Sequence, residues 1–151
     1  MSIGIVVPHL GQAQIGFTAI KTVNQLILDK SPHDWVLFFE QLTMPVLTPQ
    51  CAAMCINELT SFKGTFITTT LGNTSMTLGR NSRKTNKVIF YVWDLEWMRS
   101  GQHSYLHNYH IFNSVTKLIA RSTEHAKAIE NYCNRKVDLI LTDFNINEMI
   151  Q

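Results

Sequence analysis

Short apolar runs alternating with stretches of helical spacing constrain this chain more than any other feature. Residues 88–93, Val-Ile-Phe-Tyr-Val-Trp, are apolar at every position and then meet Asp94-Leu-Glu-Trp-Met-Arg99. A strand that reads apolar throughout is covered on both faces, and such strands belong to parallel sheets. Further runs rich in β-branched or aromatic residues occupy 3–7, 35–39, 66–70, 117–120 and 137–141. Helical patterns lie between them. One carries Ile20, Val23, Leu26 and Ile27, and one from about 49 to 62 puts Cys51, Met54, Cys55, Leu59 and Phe62 on a stripe. A short one over 71–79 stops at Gly79, another covers about 102–114, and a last one opens at Ser122 with Ala126, Ile129 and Cys133 on one face. Strands joined by helices imply crossover connections. The expected fold is therefore α/β in three layers, a mostly parallel sheet of about six strands covered on both faces.

A chain of 151 residues buries roughly two thirds of the surface its unfolded form exposes. No internal repeat, low-complexity run or linker interrupts it, so residues 1–151 are expected to form a single domain. A net charge of +2 is too small to attract nucleic acid or a membrane over the whole surface. The three cysteines cannot all pair within the chain. A zinc site at Cys51 and Cys55 would need third and fourth ligands at a recognisable spacing, and none arrives, so small buried hydrophobes are the expected role. Reduced cysteines suit a cytoplasmic setting. The apolar opening, residues 1–8, lacks a basic leader and is far shorter than a membrane span, so neither signal peptide nor anchor is expected.

Three stretches taken together carry a resemblance: Ile5-Val-Val-Pro-His-Leu-Gly-Gln-Ala-Gln-Ile-Gly16, Val92-Trp-Asp-Leu-Glu-Trp-Met98 and Leu118-Ile-Ala-Arg-Ser-Thr-Glu-His-Ala-Lys-Ala-Ile-Glu130. Their order resembles the N-terminal Rossmann-like domain of GT-B glycosyltransferases. In that family a glycine-containing turn follows the first strand, a polar pair follows a mid-sheet strand, and a strand ending in Ser-x-x-x-Ala opens the next helix. Ser122-Thr-Glu-His-Ala126 matches the last pattern best. The resemblance implies a Rossmann-like fold over nearly the whole chain and a missing second domain, the half that holds most of the nucleotide-sugar donor. It also places a catalytic base at His9, directly after the first strand, as in some inverting members.

A neutral imidazole takes a proton from an acceptor hydroxyl when a carboxylate fixes its tautomer, and Asp94 at the end of the fourth expected strand is the partner to test. If that strand persists, Asp94 and Glu96 share a face, and paired carboxylates do acid and base work when their environments split their pKa values. Either acid also serves simply as a strand-end group facing water. Trp93 and Trp97 suit stacking on a sugar or base, or an interface. The turn with Gly11, Gln12, Gln14 and Gly16 lacks the Lys-Ser/Thr of a P-loop and does not match Gly-x-Gly-x-x-Gly, so no cofactor is expected, although the following helix N-terminus attracts anions. Arg80, Arg83 and Lys84, with Lys87, form the only dense basic cluster and are candidates for phosphate contacts; a solvated loop accounts for them equally. His103, His107 and His110 fall on one helical face, but no carboxylate stands beside them and no metal site is expected.

Three readings follow. The first is an acceptor-side glycosyltransferase-like domain, active with a separate donor-binding chain or surviving as a relic, in which His9 is the base, Asp94 its orienter, and Gly11 to Gly16, Glu96 and Ser122 face the acceptor or a nucleotide sugar. The second is a non-enzymatic interaction or regulatory protein, using its tryptophans and basic loop to bind a partner or itself; the small self-contained format suits a bacteriophage or accessory-genome protein. The third is a small nucleotide-binding enzyme of doubly wound type, with Glu40 at the end of the second strand as the ribose-binding acid.

Overall fold

The computed structural model describes residues 1–81, 86–99 and 104–151. Its centre is one seven-stranded sheet, every pair parallel, in the order β3-β2-β1-β4-β5-β6-β7. The strands are β1 (Ser2–His9), β2 (Asp34–Gln41), β3 (Ala52–Cys55), β4 (Thr65–Thr68), β5 (Lys87–Tyr91), β6 (Lys117–Ala120) and β7 (Leu139–Ile140). The helices are α1 (Gln14–Leu28), α2 (Leu71–Arg80), α3 (Tyr105–Ser114), α4 (Thr123–Cys133) and the short α5 (Ile146–Met149). This is the expected three-layer Rossmann-like arrangement, with one strand more than expected.

Alternation along the strands feeds two cores. Ile3, Ile5, Val7, Leu37, Ile67, Ile89, Tyr91 and Ile119 pack on one face with Ile15, Ala19, Ile20 and Val23 of α1 and Met149 of α5. Val6, Phe38, Phe66, Val88, Phe90 and Leu118 pack on the other with Ile111 and Phe112 of α3 and Ala126, Ile129 and Cys133 of α4. Period-two strands with both sets of side chains buried require this double cover. The chain runs outward from β1 through β2 to β3, returns across to β4, and then runs outward the other way to β7. The order therefore reverses between β1 and β4, and open α/β sheets hold ligands outside the strand carboxyl ends at such a reversal.

Three expectations need correction. Residues 49–62 are not a helix: Ala52–Cys55 pairs with Val36 to Phe39 as an edge strand, and Ile56–Ser61 is a 3-10 turn. Pairing with the free edge of β2 overrides the helical stripe, so Cys51 and Cys55 do not share a helix face. The strand over 88–93 ends at Tyr91, which separates Asp94 from Glu96. Gly79 is inside α2, which continues to Arg80 and is followed by Asn81 at the cap.

Candidate functional site

The reversal is built by a buried polar network that the sequence reading missed. Thr70 accepts a hydrogen bond from the Asn73 backbone N–H, and the Asn73 Oδ1 accepts from the Thr70 N–H in return, each at 3.1 Å, a capping box that starts α2. Asn73 is completely buried. Its amide also donates to the Val6 carbonyl of β1 at 3.1 Å, where the Thr69 hydroxyl donates at 2.9 Å. These bonds fix the N-terminus of α2 against the adjoining strand.

Glu96 reaches this point from the far side. Its Oε1 accepts the N–H of Leu71, the first residue of α2, at 2.8 Å. A carboxylate at a helix N-terminus is favoured by the exposed N–H groups there, so Glu96 fills the position an anionic ligand would take on α2. Burial pushes its carboxyl pKa up; the Leu71 hydrogen bond pulls it down and the charge of Glu40 pushes it up again. Burial also raises Glu40, the last residue but one of β2, whose Oε1 is enclosed and without a hydrogen-bond partner. The two acids that feel each other at the crevice are thus Glu40 and Glu96.

His9 ends β1 opposite Gln41, and its Nδ1 is enclosed without a partner, as is the hydroxyl of Thr43 beyond β2. Asp94 is engaged elsewhere, in an ion pair with Arg99. The β1 and β5 ends stand roughly 10 Å apart, with β4 between them, and no hydrogen bond links His9 Nδ1 to Asp94. Gly11 is buried beside Thr43 and His9, Gln12 and Gln14 are exposed, and Gly16 lets α1 pass close to β1: a Cβ there would stand 2.5 Å from the His9 carbonyl oxygen. The N-terminus of α1 has no side-chain cap and no acid in its first turn, so of the two helix ends at the reversal it is the one open to an anion.

Farther along the same edge, Ser122 caps α4 by accepting the His125 N–H at 3.1 Å. Trp93 lies under the guanidinium of Arg121 at 4.2 Å. Trp97 stacks on Tyr132 at 4.4 Å and meets Phe112 in an edge contact, so one face of its ring is used in packing. Arg80 donates to the Ile56 carbonyl at 2.9 Å and to Asn57 at 2.8 Å, binding α2 to the 3-10 turn. Arg83, Lys84 and His103 lie outside the described residues. His107 shares a hydrogen bond with Ser75 at 3.2 Å and helps line a groove of about 750 Å³ between α2 and α3, at the opposite, amino edge of the sheet. Among the described residues no group of three or more His, Cys, Asp or Glu side chains is placed to hold a metal, and no helix is long and apolar enough to cross a membrane.

Fold and site together define an open, doubly wound, all-parallel α/β protein with polar side chains gathered at the carboxyl edge of its sheet. No protein-family model matches the chain, and no curated protein sequence matches it.

Proposed function

We propose that the crevice outside β1, β2 and β4 binds a hydroxyl-bearing small molecule, and that these residues act as the acceptor side of a glycosyltransferase whose nucleotide-sugar donor is held mainly by another domain or chain. One observation carries the reading. Folded proteins pair nearly all their buried polar atoms, yet of the seven buried, unpartnered side-chain atoms among the described residues, His9 Nδ1, Glu40 Oε1 and Thr43 Oγ1 all belong to this corner. Each is satisfied by a ligand hydroxyl, which both donates and accepts. A carboxylate whose pKa burial has raised, or a neutral imidazole, is suited to take that hydroxyl's proton, so Glu40 joins His9 as a base. With Asp94 held by Arg99, the tautomer of His9 is left to the ligand. The resemblance to GT-B acceptor domains supplies the reaction class by analogy of fold.

The test is thermal melting of the protein against hexoses, nucleotide sugars and nucleoside diphosphates. A ligand bound only by the folded state at a hundred times its Kd adds about 2.7 kcal/mol. The reading expects a hexose, as acceptor, to raise the midpoint, with the rise reduced in His9→Ala and Glu40→Gln. No shift across the panel would remove it.

A second reading, partner binding without turnover, is favoured by Leu42 and Met44 beside the same crevice, 86% and 90% exposed. Large apolar side chains so open to water mark protein-interaction surfaces when they cluster. Concentration-dependent sedimentation, abolished by Leu42→Asp with Met44→Asp, supports it; a monomer at every concentration that also retains no partner opposes it.

A further inference from the structure

We propose that the cavity between the ends of β6 and β7 is an oxyanion site, taking a phosphoryl group through Arg121, Ser122, His125 and Thr142. The cavity has a volume of about 340 Å³ and is lined by these four residues. Arg121 is its only cation and is half-buried. One guanidinium nitrogen donates to the Trp93 carbonyl at 3.1 Å and the group also acts on the Tyr91 hydroxyl, whose pKa burial raises and the guanidinium lowers, while Nε is enclosed with no acceptor. Neither ion pair among the described residues includes Arg121. A half-buried guanidinium without a carboxylate carries a desolvation cost that an anion offsets.

The remaining lining groups have the matching polarity. His125 Nδ1 accepts the Arg121 backbone N–H at 3.3 Å, so a neutral ring carries its proton on Nε2 and donates from there. Burial, followed by the charge of Arg121, lowers the His125 pKa and keeps the ring neutral. The Ser122 oxygen is occupied as an acceptor by the His125 N–H, which leaves its O–H free to donate. Thr142 brings another hydroxyl, and the eleven-residue α4 begins at this point with its N–H groups turned toward the edge. Two acids lie near: Glu124 is exposed in the first turn of α4, and the charge of Asp143 is felt by Tyr91. Neither pairs with Arg121. Trp93 holds the guanidinium plane from one side, which prepares its fork for two parallel bonds to phosphoryl oxygens. These observations are separate from those at the β1, β2 and β4 corner, so the site stands or falls independently of the transferase reading.

Titration of the intact protein with inorganic phosphate and pyrophosphate, followed by Trp93 indole NMR shifts, tests the proposal. Saturable binding is expected, weakened at least tenfold in Arg121→Gln, partly in Arg121→Lys, and not at all in the surface control Lys127→Gln. Equal affinity in Arg121→Gln, or no saturation by either anion in wild type, overturns it. Should Arg121→Gln fail to fold, Ser122→Ala provides the second reading, with a several-fold loss expected and none contradicting the proposal.

Discussion

Replacing Gly16 with alanine tests how tightly α1 is seated on the end of β1, where the crevice begins. The new Cβ would lie 2.5 Å from the His9 carbonyl oxygen, 0.9 Å short of the 3.4 Å at which ordinary contact begins, and 3.5 Å from the Leu10 Cα. The obstacle is backbone, so no rotamer change relieves it. Either α1 lifts from the sheet, loosening Ile15, Ala19 and Ile20 in the core, or the turn over residues 10–13 moves. Overpacking of this kind costs about 1–3 kcal/mol. In a chain of this length each kcal/mol moves the midpoint by about 2–4 °C, so Tm falls by about 2–12 °C. Gly79 is the internal comparison: a Cβ there meets nothing within 4 Å and the residue is inside α2. Gly79→Ala therefore gains up to about 1 kcal/mol of helix propensity and raises Tm. Calorimetry on the two variants decides the matter. A Gly16→Ala protein melting at or above wild type would refute the close approach of α1 to His9.

Three further outcomes follow from the same geometry. Burial raises the Glu40 pKa above 4.5, so the folded state holds this proton more tightly than the unfolded chain; the associated stability is fully present below the unfolded value and is lost as pH rises through the folded one. Glu40→Gln is accordingly more stable than wild type at pH 7, with the gap closing toward pH 4, and urea melts showing an equal gap at both would refute this. Asn73→Ala removes the capping box and leaves the Thr69 and Thr70 N–H groups without their acceptor, a loss of about 3 kcal/mol measurable by urea denaturation. Arg99→Ala, at an ion pair whose arginine is 72% exposed, costs under about 1 kcal/mol and leaves ligand affinity at the crevice unchanged in a binding titration.

What the sequence made legible is whatever depends on local pattern. The runs at 3–7, 35–39, 66–70, 88–93 and 117–120 announce central strands because both their faces are buried, and Ser122 announces α4 because a hydroxyl cap acts within one turn. Residues 49–62 misled for a physical reason. Ile56, Leu59 and Phe62 recur every three residues, which suits a 3-10 turn as well as a helix, and the pairing of Ala52–Cys55 comes from β2, more than ten residues upstream. The site divides similarly. His9 could be marked as following the first apolar run, Glu96 and Ser122 as residues beyond strand ends, and Glu40 as the end of the second run; in the structure His9 is the last residue of β1. That Glu96 turns to the N-terminus of α2 while Asp94 turns to Arg99 depends on the chain leaving the sheet after Tyr91. Asn73 was readable in principle: Thr70-x-x-Asn73 is a capping box with a shorter amide in place of Glu or Gln.

The carboxyl edge of the sheet as the ligand site is the central claim, and backbone amide NMR under titration with nucleotide sugars and hexoses tests it most directly. The account predicts saturable shifts at residues 9–16, 40–43, 69–73 and 94–97, joined at 121–125 and 142 only by the phosphoryl-bearing nucleotide sugars, with none at Ser75, Asn86 or Thr116 across the molecule. Shifts centred instead on the amino-edge groove between α2 and α3, or none at saturating ligand, would contradict it.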